Sequence, residues 1–142
     1  MRRPILVIES DDWGPGPDWH AERLAQVGEC LAHYRDGEGR TALMTLGVVL
    51  SAPDTAAMAR SGLDEYRRIT LDDQRCRRLF EQMQAGVRDG VFALQLHGME
   101  HYWPPALLHA ASKVESLRAW LTGDEFPPYE LLPPALQSRW ID

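Results

Sequence analysis

Three short apolar runs, Pro4–Glu9, Ala42–Leu50 and Val91–Leu96, alternate with stretches whose apolar residues recur at helical spacing, and this alternation narrows the possible folds most. Unbroken apolar runs of this length suit strands covered on both faces. Strands separated by helices pair in parallel, so the order β-α-β-α-α-β-α predicts an α/β chain with a parallel sheet of βα units. The first helix starts behind Asp18 and carries Trp19, Leu24, Val27, Leu31 and Tyr34 until Asp36-Gly37 stops it. Ser51-Ala52-Pro53-Asp54 opens a short helix to Arg60, and Leu63–Ile69 reads as an irregular insertion. Thr70-Leu71-Asp72-Asp73 caps a helix with Cys76, Leu79, Phe80, Met83 and Val87 on one stripe. A last helix follows Pro104-Pro105 with Leu107, Ala111, Val114, Leu117 and Leu121 on its face, and Phe126–Pro134 is extended.

Length and charge remove several classes of function. The 142 residues make one domain, spanning 1–142, and fall well short of the roughly 250 that an eight-stranded α/β barrel typically needs. Fifteen basic against twenty-one acidic residues give a net charge of −6, with no positive field for a phosphate backbone, so nucleic acid is not an expected partner. The run Ile5-Leu6-Val7-Ile8 is too short for a signal peptide or a membrane span, and a cytoplasmic location is expected. Cys30 and Cys76 fall at apolar helix positions and read as two buried thiols, with no C-x-x-C motif.

Ligands of parallel α/β sheets bind beyond the carboxyl ends of the strands, where the βα loops converge. Two segments rich in metal-ligand side chains stand at those ends: Ser10-Asp11-Asp12-Trp13-Gly14 after the first strand and His97-Gly98-Met99-Glu100-His101 after the third. Adjacent aspartates repel unless a cation or hydrogen bonds offset their charge; alone, they also suit a turn and a helix cap. On an extended chain their side chains point opposite ways, one toward a metal and the other toward water or substrate. Histidines four apart meet on one face if 97–101 makes a helical turn, and neutral imidazoles are usual ligands of zinc and related ions. Two His and one Asp leave a coordination position open, the pattern of a catalytic metal site. Trp13, Trp19, Tyr102 and Trp103 crowd the same loops. Trp13 and Trp103 suit either a sugar-stacking surface or core packing, and Trp19 suits the core.

S-D-D-W-G followed by H-G-M-E-H resembles the first two motifs of the polysaccharide deacetylase (NodB-homology) family, commonly T-F-D-D-G and H-[ST]-x-x-H, in order, strand-end placement and the H-x3-H spacing. The resemblance implies Asp11 as catalytic base and Asp12, His97 and His101 as ligands of a divalent ion, zinc by preference. It also implies part of a distorted (β/α) barrel, a carbohydrate substrate, and hydrolysis of an acetyl group by metal-activated water. The sequence covers the N-terminal half of that pattern. His109 follows in a helical stretch and reads as a surface residue, so no general acid is assigned.

Two other readings stand beside it. His97-Gly98-Met99-Glu100-His101 also satisfies H-x-x-E-H, which in inverted zinc peptidases makes the Glu, here Glu100, the base. That mechanism needs the motif inside a long helix, whereas Val91–Leu96 reads as strand and Pro104-Pro105 stops any helix soon after. The third reading is a metal-binding domain without turnover. Its half barrel exposes a sheet edge and needs a homo-oligomeric partner or a completing chain to cover it.

Overall fold

The computed structural model describes residues 5–127 and 131–132. In chain order its elements are β1 (Glu9–Trp13), α1 (Trp19–Ala32), β2 (Met44–Val49), β3 (Ser51–Pro53), α2 (Thr55–Arg60), β4 (Arg68–Thr70), a single 3-10 turn (Gln74–Cys76), α3 (Arg77–Arg88), β5 (Phe92–Gly98), α4 (Pro104–Ala111) and α5 (Glu115–Leu121). The parallel sheet runs β1-β2-β5, and β3 and β4 make a separate antiparallel pair. The chain is thus mixed α/β with a small parallel sheet. No barrel closes among the described residues.

β2 is the central strand, and its composition explains the layering. Met44, Leu46 and Val48 pair with Phe92, Leu94 and Leu96 and share one face; Met44, Leu46, Val48 and Phe92 form one core with Leu24 and Leu31 of α1 and Leu79 and Met83 of α3. Each fully buried aliphatic side chain here, such as Leu24 or Leu46, contributes about 1.5–3 kcal/mol of transfer free energy. α3 tolerates Gly86 in its interior because the Phe92 ring occupies that space: a Cβ at 86 would stand 1.9 Å from Phe92 Cδ2. A second core joins Met58 of α2 to Leu107, Ala110 and Ala111 of α4, Leu117 and Leu121 of α5, and Leu132. Among the described residues, no helix is long and apolar enough to cross a membrane.

Several expectations need correction. The first strand is Glu9–Trp13, not Pro4–Glu9: pairing begins where Thr45 N–H donates to Ile8 C=O, and Ile5 (88% exposed), Leu6 and Val7 precede it uncovered. Ser51–Pro53 is strand β3 rather than a helix start, so the cap of α2 is Asp54, whose carboxylate accepts from Ala57 N–H at 2.9 Å. The irregular insertion runs into β4, which begins at Arg68 and pairs with β3. The last helix is two, α4 and α5, interrupted at 112–114. Cys30 is exposed, while burial pushes the Cys76 thiol up to about 11; both are free thiols. Trp19 is exposed rather than in the core, and Phe80 and Val87 lie half open on the rim of the α3 stripe. The extended stretch expected at Phe126–Pro134 falls largely outside the described residues.

Candidate metal centre

Both flanking strands of the sheet carry an extra residue at the point where a site residue is needed. On β1, Ser10 faces Leu46 and Trp13 faces Val48, so three steps on β1 match two on β2. The surplus falls at Asp11-Asp12, and Asp12 adopts φ 67°, a left-handed conformation that Asp tolerates better than most residues. In unbroken register Asp12 would oppose Val48 on the helix-covered face; the bulge puts Trp13 there instead and releases the carboxylate. On β5, Leu96 faces Val48 and Gly98 faces Val49, so His97 is the extra residue. Bulges of this kind re-aim side chains and concentrate beside functional sites.

The result is a cluster of three ligand groups. Asp12 Oδ1 lies 3.3 Å from His97 Nε2 and 3.0 Å from His101 Nε2, and the two rings meet edge to face with centroids 5.5 Å apart. Asp12, His97 and His101 can hold a metal ion, one ligand atom from each within 4.8 Å of the others. His101 Nε2 tests the fit. It is buried and has no hydrogen-bond partner, although the Asp12 oxygen is 3.0 Å away. A buried ring nitrogen left in that state is costly unless its lone pair is used. Two ligand atoms each about 2.1 Å from one ion in tetrahedral geometry stand roughly 3.4 Å apart, close to both separations here. The donor set could hold a metal ion.

The histidines reach this arrangement differently from the expected helical turn. His97 is the penultimate residue of β5, and the chain from 99 to 103 bends without helix before α4 begins at Pro104. Backbone bonds fasten the bend to the sheet: Leu50 N–H donates to Gly98 C=O at 3.0 Å and Ser51 N–H to Met99 C=O at 2.8 Å.

Asp11 lies on the opposite face of the sheet from α1 and α3, where Glu9, Asp11, Thr45, Gly47, Gln95, Leu96 and His97 line an open cavity of about 120 Å³. Its carboxylate crosses β2 at Gly47, where a Cβ would stand 2.4 Å from Asp11 Oδ1. The bare backbone of Gly47 therefore makes room for Asp11. In the sequence the only signal for Gly47 is a glycine inside an apolar strand.

The tryptophans separate. Trp13 is half-buried against the core, and its Nε1–H donates to Ser10 Oγ at 3.0 Å. Trp103 is 64% exposed two residues beyond His101, and His109 is exposed on α4. Glu100 stands apart from the cavity lining: its side chain is 5% exposed and paired with Arg68 at 2.8 Å. Comparison with protein-family models, with curated proteins and with solved structures finds no match to this chain.

Proposed function

We propose that this chain is a metal-dependent hydrolase of the polysaccharide deacetylase type, removing acetyl groups from a carbohydrate. The observation that carries the reading is the convergence of Asp12, His97 and His101 at the carboxyl ends of two parallel strands, with Asp11 in the adjoining cavity that His97 also lines. Asp12, His97 and His101 would hold the ion, and one carboxylate with two imidazoles suits zinc. When bound, the ion supplies a Lewis acid that acidifies water and polarises an acetyl carbonyl.

The chain's own groups do the rest. Asp11, on the face of the sheet away from α1 and α3 and seated over Gly47, accepts the proton of the attacking water. Glu9, Thr45 and Gln95 offer hydrogen-bond partners along the cavity floor for sugar hydroxyls and the acetamido group. Trp103 presents an exposed aromatic face of the kind that stacks on sugar rings. The peptidase reading loses its base, because the Glu100 carboxylate is held by Arg68, Tyr66 and Ser51 and the motif lies outside any helix. The metal-binding domain without turnover keeps one observation in its favour: the β5 edge with Leu94 and Leu96 uncovered.

Acetate release from acetylated chito-oligosaccharides and acetylated xylan by zinc-loaded protein tests the proposal. The wild type releases acetate, and Asp11→Asn loses at least 100-fold while retaining its metal. Metal binding with no release from any acetylated sugar would select the inactive domain instead.

A further inference from the structure

Glu100 sits between two proposed ligands, yet every contact it makes leads to another part of the fold. Oε1 accepts from Ser51 Oγ at 3.0 Å and pairs with Arg68 Nε at 2.8 Å; Oε2 accepts from the Tyr66 hydroxyl at 2.6 Å. These donors come from β3, from the connection after α2, and from β4. A carboxylate so buried is tolerable only when paired and fully hydrogen-bonded, and here both oxygens are engaged. Arg68 is itself held over the Tyr66 ring, 5.8 Å from its centroid. Ser51 is 1% exposed, and its single hydroxyl proton is shared between Glu100 Oε1 and Met99 C=O, 2.9 Å away in the same loop. The residues from 99 to 103 have no helix or strand of their own, so the seat of His101 depends on what grips its neighbour.

We propose that Glu100 is a positioning residue: the β3–β4 pair and Tyr66 clamp it, and through it fix His101 in contact with Asp12. This rests on the reading of Asp12, His97 and His101 as metal ligands. The segment that looks like an irregular insertion, 63–69, then has a task. It supplies Tyr66 and Arg68, two of the three side chains that hold the loop. Residues that hold a metal ligand in its orientation commonly change metal affinity by about 10–100-fold when removed.

Tyr66→Phe and Glu100→Gln in the full chain test the clamp by two readouts. Cobalt(II) affinity by chelator competition, with the visible spectrum of the bound ion, is expected to weaken at least 10-fold with an altered spectrum. Hydrogen exchange in metal-free protein is expected to quicken at least 10-fold at amides 99–103 while β2 stays protected. If Glu100→Gln does not fold, Tyr66→Phe decides. Unchanged affinity, spectrum and loop exchange overturn the clamp, even if the melting temperature falls, because a merely structural contact would do only that. If the wild type binds no cobalt, the metal reading fails, while loop exchange in the metal-free chain still decides: acceleration upholds the clamp and its absence overturns it.

Discussion

A methyl group at residue 47 would meet Asp11 Oδ1 at 2.4 Å and Asp11 Cα at 3.2 Å, so the placement of the proposed base is written into a residue with no side chain. Gly47→Ala is expected to lower acetate release at least 10-fold with metal content unchanged, because the atoms the new methyl meets first are all those of Asp11. Loss of metal together with activity would contradict this. Asp12, His97 and His101 were legible as one cluster because they stand at the ends of strands whose βα loops converge in a parallel sheet. Gly47 was not, since within an apolar run its glycine reads as one more small residue. Asp12 was legible as a ligand type but not in its conformation: alternation along a strand predicted opposite directions for the pair, and a left-handed residue in a bulge achieves the separation.

Among elements, the hydrophobic pattern located β2 and β5 well and β1 poorly. An edge strand with one polar face, Glu9 to Trp13, carries no apolar run, while the run before it attracts the assignment and stays exposed. The β3–β4 pair escaped for a related reason: three-residue strands are too short for any period to register. The segment just after β3 also holds an ion-pair centre. Asp54 caps α2 and pairs with Arg75 at 2.8 Å, and Arg75 also pairs with Asp73 and Glu125. Asp54→Ala is expected to cost about 1–3 kcal/mol in denaturant unfolding, the loss of a cap plus a partner of a half-buried guanidinium. The hydrogen bond from Arg75 holds the Asp54 carboxyl below its ordinary range, and that from Arg75 does the same for Asp73. A carboxyl depressed by folding stabilises above its unfolded value, near 3.9, and that contribution disappears as pH falls through the lower native value. Melting temperatures between pH 6 and pH 2 should therefore drop most steeply below about pH 4. Arg75→Met should flatten that part of the curve, and an equally steep drop in the variant would refute the assignment.

At the scale of the whole molecule, the parallel sheet has helices on one face and an open polar cavity on the other, and β5 leaves Leu94 and Leu96 (66% exposed) uncovered. A long uncharged edge strand invites association. Sedimentation velocity at rising concentration should show self-association that Leu94→Lys reduces; a wild type monomeric throughout would contradict this. The alternation of apolar runs and helical stretches announced the α/β class. Whether the sheet closes was not legible, because strand count and curvature depend on contacts far apart in sequence. The site itself is a product of that long-range assembly: Asp12 comes from β1, His97 from β5, and β2 lies between them. An ion held there joins both edges of the sheet, and binding only the folded chain it stabilises by about 2.7 kcal/mol at 100 times its dissociation constant. The most direct test is the metal content of purified wild type, Asp12→Asn and His101→Ala after equilibration with zinc and removal of the excess. One ion per wild-type chain, with a raised melting temperature, and none in either variant is the predicted result; equal metal in all three would contradict the account.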